Sequence, residues 1–412
     1  MKSFIMCDSF LFLILFQFTE NIVIIPFETY NPLVTRNQKL LELIKNASDE
    51  ILIDTILKNL IYINLEIGEN IQTIPTFIEM GTDEFYFKDL MMKDIYPFTK
   101  NSIYKNFTLN DNYILANLFE LNYYNSSMSK TYKYITSCPE YLKKHSLDRD
   151  ICANDTIYLR YKNSFTNEEI KKPITFYLTF KGFEKNDHRP GIIGLYIKDS
   201  EFILRLKQYS EIDKYVWNFK YTNYSYEKGE LIIGDFPHIY DKNNYKVDNL
   251  RSAKINIKKD LDWILNFENI FITINKNKKE YLYLEKNEMA IFCIDEFFIF
   301  ATEEYFKMIE EIFFKKYIDE GICKKKTHKK KEDYHIFFHY FCYIKNKNKR
   351  EEFFKNFPLL TFYQKEMNYN FTLDYKDLFT IIPDDYRILF NIESYSDSKQ
   401  WVLGKPFFKK YQ

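Results

Sequence analysis

The sequence predicts a mostly β protein of two lobes with few helices. Three observations carry that expectation. The chain has 412 residues, too many for one ordinary small core and enough for about two domains. Apolar and polar residues alternate in many short runs, the period of half-buried strands. Runs with helical spacing are few.

At the N-terminus, Lys2 and the apolar run 9–18 (SFLFLILFQF) read as a secretory signal peptide over residues 1–20. That run is shorter than the roughly 20 apolar residues a membrane span needs, and no later stretch supplies one. Residues 21–58 are expected to form a propeptide or leading arm. Within them Leu40, Leu41, Ile44, Ile51, Ile56 and Leu57 recur at helical spacing.

From Ile61 the period changes to two. Ile61, Ile63, Leu65 and Ile67 share one face, a turn follows at Gly68-Glu69-Asn70, and 71–78 reads as the returning strand. Further strands are expected over 156–161, 174–180, 202–206, 230–233, 270–274, 280–284 and 371–375. The clearest helix is 302–317, with Thr302 as N-cap and acids in its first turn. The basic run 324–331 reads as a solvated loop between Cys323 and Cys342.

Composition narrows the function classes. The 58 basic residues balance the 58 acidic ones, so nothing draws the whole chain to nucleic acid or an anionic membrane. Phe (40) and Tyr (35) are abundant while Gly (9) is scarce, which reads as codon bias rather than an aromatic ligand platform. Asn46, Asn106, Asn125, Asn154, Asn223 and Asn370 each open an N-x-S/T sequon. Together with the signal peptide they point to a secreted glycoprotein. Cys7 leaves with the signal. In an oxidising compartment Cys138–Cys152 and Cys323–Cys342 are the economical pairs, which leaves Cys293; other connectivities stay open.

An ordered series of motifs then resembles the pepsin family of aspartic peptidases. Tyr62 to Gly68 (YINLEIG) is similar to the family's entry strand. Asn125 to Tyr132 (NSSMSKTY) resembles the segment before the flap, and Thr156 to Tyr161 the strand leading to the flap tyrosine. Gly191-Ile192-Ile193-Gly194 looks like the apolar-apolar-Gly loop of the first lobe. Lys228 to Gly234 (KGELIIG) resembles the strand after the lobe junction, and Trp263 opens a strand like the family's W-x-I segment. Ala290 to Cys293 fits the second catalytic strand, Phe357 to Phe362 (FPLLTF) the P-x-I-x-F strand, and Trp401 to Phe407 (WVLGKPF) the W-x-L-G-x-x-F near the family's C-terminus. Glu79 to Cys293 spans 214 residues and Gly194 to Gly404 spans 210, as two lobes related by duplication would give.

The resemblance implies a two-lobed pepsin-like fold with a central cleft, an N-terminal lobe over 59–210 and a C-terminal lobe over 211–412. It implies a monomer that takes a peptide or protein ligand in the cleft and needs no cofactor or metal. The chain stops eight residues after Gly404, so the last strands of the second lobe are expected to be missing.

The family's chemistry needs two aspartates that share a proton across the lobe interface, one acting as base toward water and the other as acid. Here Glu79 stands at the first position, with Gly81 and Thr82 keeping the turn and a hydroxyl for substrate contact. Met80 replaces a small hydroxyl residue. Cys293 stands at the second position, and a thiol lacks the carboxylate's paired oxygens. A shifted register would make Asp295 the second acid. Tyr161 keeps the flap tyrosine, but Lys162-Asn163-Ser164 replace its glycines. The expectation is a secreted pseudo-peptidase that binds a peptide or protein. The alternatives are an atypical active endopeptidase using Glu79 with Asp295, and a structural coat protein with a closed cleft.

Overall fold

The computed structural model of the chain describes residues 21–29, 45, 47–49, 52–53, 61–89, 123–136, 151–163, 169–181, 189–196, 200–209, 211–221, 228–240, 252–253, 263–275, 280–294, 296–329, 335–382 and 386–411. Ten strands form the first sheet: β1 (Asn21–Thr29), β2 (Ile61–Ile67), β3 (Gln72–Glu79), β4 (Phe85–Lys88), β5 (Lys133–Tyr134), β6 (Ile151–Asn163), β7 (Glu169–Lys181), β8 (Gly191–Gly194), β9 (Trp217–Tyr221) and β10 (Lys228–Ile233). Their order is β5-β6-β7-β4-β8-β3-β2-β1-β10-β9, and β6 also reaches β1 and β2.

The second sheet holds β11 (Ile264–Asn275), β12 (Glu280–Phe292), β13 (Ile299–Phe300), β14 (Cys323–Lys329), β15 (Ile336–Tyr343), β16 (Leu359–Gln364), β17 (Tyr369–Leu373), β18 (Phe379–Ile381), β19 (Arg387–Phe390), β20 (Ile392–Tyr395) and β21 (Trp401–Leu403). They run β17-β16-β11-β12-β21-β13-β20-β15-β19-β18, with β14 on β15. The expected class, mostly β in two large sheets with few helices, holds.

Both sheets repeat one device. In the first, the late strand β8 slots between β3, to which it is parallel (Glu79↔Gly194), and β4, to which it is antiparallel (Phe85↔Ile193). In the second, β21 slots between parallel β12 (Phe292↔Leu403) and antiparallel β13 (Phe300↔Val402). Each insertion squeezes a backbone against the preceding turn. A Cβ on Gly194 would lie 2.2 Å from the Thr82 carbonyl oxygen, and one on Gly404 would lie 2.0 Å from that of Phe298. Both positions therefore admit only glycine.

The leading segment is woven into this frame. β1 lies between β2 and β10, with Phe27 opposite Ile63 and Val23 opposite Ile233. Farther on, Leu52 and Ile53 are fully buried against Phe297, Phe298 and Leu389 of the second lobe. Asp49 beside them is held by the Tyr343 hydroxyl, by Lys326 at 3.4 Å and by Arg387 at 3.7 Å. The expected lobe boundary after residue 210 falls just before β9 and β10, which hydrogen-bond into the first sheet.

Two expectations need correction. Residues 202–206 are not a strand but the centre of a helix, Glu201–Gln208. Phe202, Ile203 and Leu206 turn inward at helical spacing, and Arg205 pairs with Glu201 one turn back at 2.8 Å. The basic run is not a loop at its start, because Cys323–Lys329 is strand β14 and Cys323 lies opposite its disulfide partner Cys342 in the ladder. Its lysines lay their stems along rings: Lys324 Nζ sits 5.3 Å from the Tyr343 centroid and Lys325 Nζ 5.0 Å from that of Phe338.

The strand expected over 371–375 is Tyr369–Leu373, with Asp374 capping a short helix from Tyr375. The hairpin of β2 and β3 and the helix from Glu303 form as expected, with the Thr302 side chain accepting from the Tyr305 N–H. That helix passes through a π segment, Glu310–Phe314, into Lys315–Asp319. Many of the described aromatic side chains are inside. Phe314 stacks on Tyr340 at 4.0 Å, and the fully buried Trp401 meets Tyr305 and Phe362 edge-on at 5.1 Å each. Cys152 is disulfide-bonded; its expected partner Cys138 lies outside the described residues.

Candidate functional site

The two inserted strands bring the turns after β3 and β12 to the lobe junction. Glu79 is the last residue of β3, and its carbonyl accepts from the Leu195 N–H at 2.7 Å. Its carboxylate forms an ion pair with Arg189, which stands two residues before β8; each side chain is about one-quarter exposed, 26% and 28%. Among the described residues the charge partner of Glu79 is thus a guanidinium, not a second carboxylate.

The rest of the first turn is built for shape. Thr82 Oγ1 accepts from the Glu84 N–H at 3.2 Å, and the Thr82 carbonyl accepts from the Tyr196 N–H at 3.1 Å. The Thr82 hydroxyl thus ties its own turn. Gly81 is exposed, and a Cβ there would meet nothing within 4 Å.

Cys293 follows β12, half-buried, and its N–H donates to the Leu403 carbonyl at 3.1 Å. The ladder partner of Phe292 is Leu403, as that of Glu79 is Gly194. Cys293 therefore adjoins Gly404 at the end of its ladder much as Glu79 adjoins Gly194. Asp295 lies outside the described residues.

Between these turns the two lobes touch through residues that sequence reasoning did not pair. Ile294 is fully buried in the core cluster of the first lobe, and its N–H donates to Met80 Sδ at 3.3 Å. Trp263, at the head of β11, donates from Nε1 to the Leu195 carbonyl at 3.2 Å and meets Trp217 edge-on at 5.1 Å. Such pairs carry no one-dimensional signal, because neither partner stands out by type or period.

Tyr161 lies one rung before the last described pair of the β6–β7 hairpin, Lys162–Glu169; it is 6% exposed and opposite Val23 of β1. Burial pushes its hydroxyl pKa upward, with the charge of Glu211 adding to the shift. Lys172 Nζ stands 5.6 Å from its ring and bonds Glu211 at 2.9 Å. His339 belongs to a different setting. It is fully buried, with Nε2 3.1 Å from Glu393 Oε2 and its ring 5.2 Å from that of Phe298.

No protein-family model matches the chain, and no curated protein does. Among solved structures it is similar to conglutin gamma, a basic 7S globulin from lupine seeds. The TM-score is 0.54 and the identity 10%, covering 95% of this chain and 91% of that one. It is also similar to the basic 7S globulin from soybean, with TM-score 0.51 and 10% identity, covering 95% of this chain and 92% of that one. The likeness is one of fold. The two-lobed, pepsin-like fold implied by the motifs is the fold of this chain. Among the described residues no helix is long and apolar enough to cross a membrane.

Proposed function

We propose that this is a secreted pepsin-like protein that does not cleave by two carboxylates and instead binds a peptide or protein partner, as a monomer, in the cleft between its lobes. One observation carries the reading: Glu79 is ion-paired with Arg189. Two-carboxylate catalysis needs a proton shared between neighbouring acids, one free to accept from water. Here the acid faces a cation, and the corresponding turn of the other lobe offers the thiol of Cys293.

Secretion is supported by the apolar N-terminal run and by the disulfide Cys323–Cys342, which needs an oxidising compartment to persist. In this reading residues 1–20 are the signal peptide and Asn21 opens the folded chain as part of the leading arm, followed by lobes over 59–210 and 211–412, the second sending β9 and β10 into the first sheet. Gly81 and Thr82 border the cleft as framework.

The test is cleavage of an unfolded protein substrate between pH 3 and 7 by the wild type and by Glu79→Ala. Equal, background cleavage by both supports the reading. Acid-peaking cleavage that disappears in Glu79→Ala would overturn it.

A further inference from the structure

We infer that the second lobe carries a binding site for a small aromatic anion, independent of the inter-lobe cleft: a planar ring bearing a sulfonate, sulfate or carboxylate. The site is a cavity of about 510 Å³ between the helices ending at Asp319 and starting at Lys347, floored by the end of β15. That volume suits a small molecule.

The walls are aromatic. Tyr317, Tyr343 and Tyr386 line the cavity above the buried Phe353. Tyr343 is fixed from behind, because its hydroxyl is bonded to Asp49. A planar ring would find ring faces and edges to pack on, contacts worth about 0.5–1.5 kcal/mol beyond area burial.

The rim is basic. Lys316, Lys345 and Lys349 line the cavity, and none makes an ion pair among the described residues. Two of them are held over rings instead. Lys316 Nζ stands 5.5 Å from the Tyr317 centroid and Lys345 Nζ 5.6 Å from that of Tyr386. Lys349 is seated by its own backbone N–H, which donates to the N-cap Asn346 Oδ1 at 3.1 Å.

Glu320 and Glu352 also line the cavity, so three cations stand against two acids. Ring walls favour a flat apolar body, and lysines over rings favour a negative head group. Inorganic sulfate would use only the second feature and a neutral arene only the first.

The experiment titrates the full chain with naphthalene-2-sulfonate by calorimetry, beside the neutral naphthalene-2-methanol and sodium sulfate. The variant is Lys345→Gln with Lys349→Gln, both exposed, and its melting temperature is checked against the wild type. The expected result is saturable 1:1 binding of the sulfonate, with Kd on the order of 1 mM or tighter. Losing the two cations should weaken it by about tenfold or more, and the neutral arene and sulfate should bind at least as much more weakly. Glu79→Ala should leave this binding unchanged, so its failure and that of the cleft reading are separable. Absence of saturable binding, equal binding of the neutral arene, or an unchanged Kd in the folded double variant would overturn the proposal.

Discussion

Met80 Sδ accepts a hydrogen bond from the Ile294 N–H at 3.3 Å across 214 residues of sequence. Each residue directly follows one of the two positions, Glu79 and Cys293, that the motif resemblance sets against the pepsin family's aspartates. Met80 is 4% exposed and Ile294 fully buried in the first lobe's core. The two turns are therefore joined by an apolar latch with one weak polar bond.

Truncating the latch should loosen the lobes. Met80→Ala removes buried volume and the acceptor together, and should cost about 2–5 kcal/mol of stability. Met80→Leu keeps most of the volume but orphans a buried N–H, so about 1–3 kcal/mol is expected. Urea unfolding of both variants gives the comparison, and a Met80→Leu variant as stable as the wild type would show that the sulfur contributes nothing.

Breaking the Glu79–Arg189 pair should matter little to stability. Both side chains are about one-quarter exposed, so Arg189→Gln should shift unfolding by no more than about 1 kcal/mol. The same variant leaves Glu79 without its cation. It should still show no acid-range proteolysis in a fluorogenic peptide assay, because Cys293 supplies no second carboxylate.

The clamp on the leading arm should be stronger. Asp49 and Arg387 are both nearly enclosed, at 8% and 4% exposure, and Arg387 also donates to the Ala47 and Lys45 carbonyls at 2.8 and 3.0 Å. Asp49→Ala leaves that guanidinium with a missing anion and should cost about 3 kcal/mol. Limited proteolysis should then cut between residues 45 and 60 much faster than in the wild type.

Acid should weaken a contact in the second lobe. Burial would raise the Glu310 pKa, but hydrogen bonds from Lys325 and Tyr340, with the charge of Lys325, outweigh it and hold the group below its ordinary 4.5. A depressed carboxyl pKa stabilises the fold above the unfolded value and loses that contribution as pH falls through the folded one. Glu310→Gln should therefore destabilise the protein at pH 7, by no more than about 1 kcal/mol for this partly exposed group. Near pH 3 the gap between variant and wild type in urea midpoint should close.

Glycan occupancy should differ between sequons. Asn370 is exposed on β17, whereas Asn154 lies within β6 with its Oδ1 enclosed. In secretory expression, glycopeptide mass spectrometry should find Asn370 occupied and Asn154 bare.

Much of the frame was legible in the sequence because it is local. The alternation from Ile61 fixes the hairpin, Thr302 and the acids after it fix a helix start, and Gly194 and Gly404 mark two close backbone crossings. The run 202–206 misled because five residues with four apolar members suit either period, and only the longer span Glu201–Gln208, with its Glu201–Arg205 pair one turn apart, shows the helical one. The strand ends that carry Glu79 and Cys293 were also legible, but their contacts were not. Arg189 reaches Glu79 only because β8 inserts beside β3, and Ile294 reaches Met80 only because the lobes close. Tyr161 matched a motif by order, yet its burial follows from how β6 lies against β1, a contact spanning most of the first lobe.

The place of β1 sets a timetable for synthesis. Val23 is laddered to Ile233, so the strand made first waits for one made some 200 residues later. At roughly 5–20 residues per second, that wait is on the order of 10–40 s, during which the edge of β1 that β10 will cover stays unpaired. A nascent chain of this design completes its first sheet only when more than half of it has left the ribosome, so whatever shields those edges during translation governs its yield.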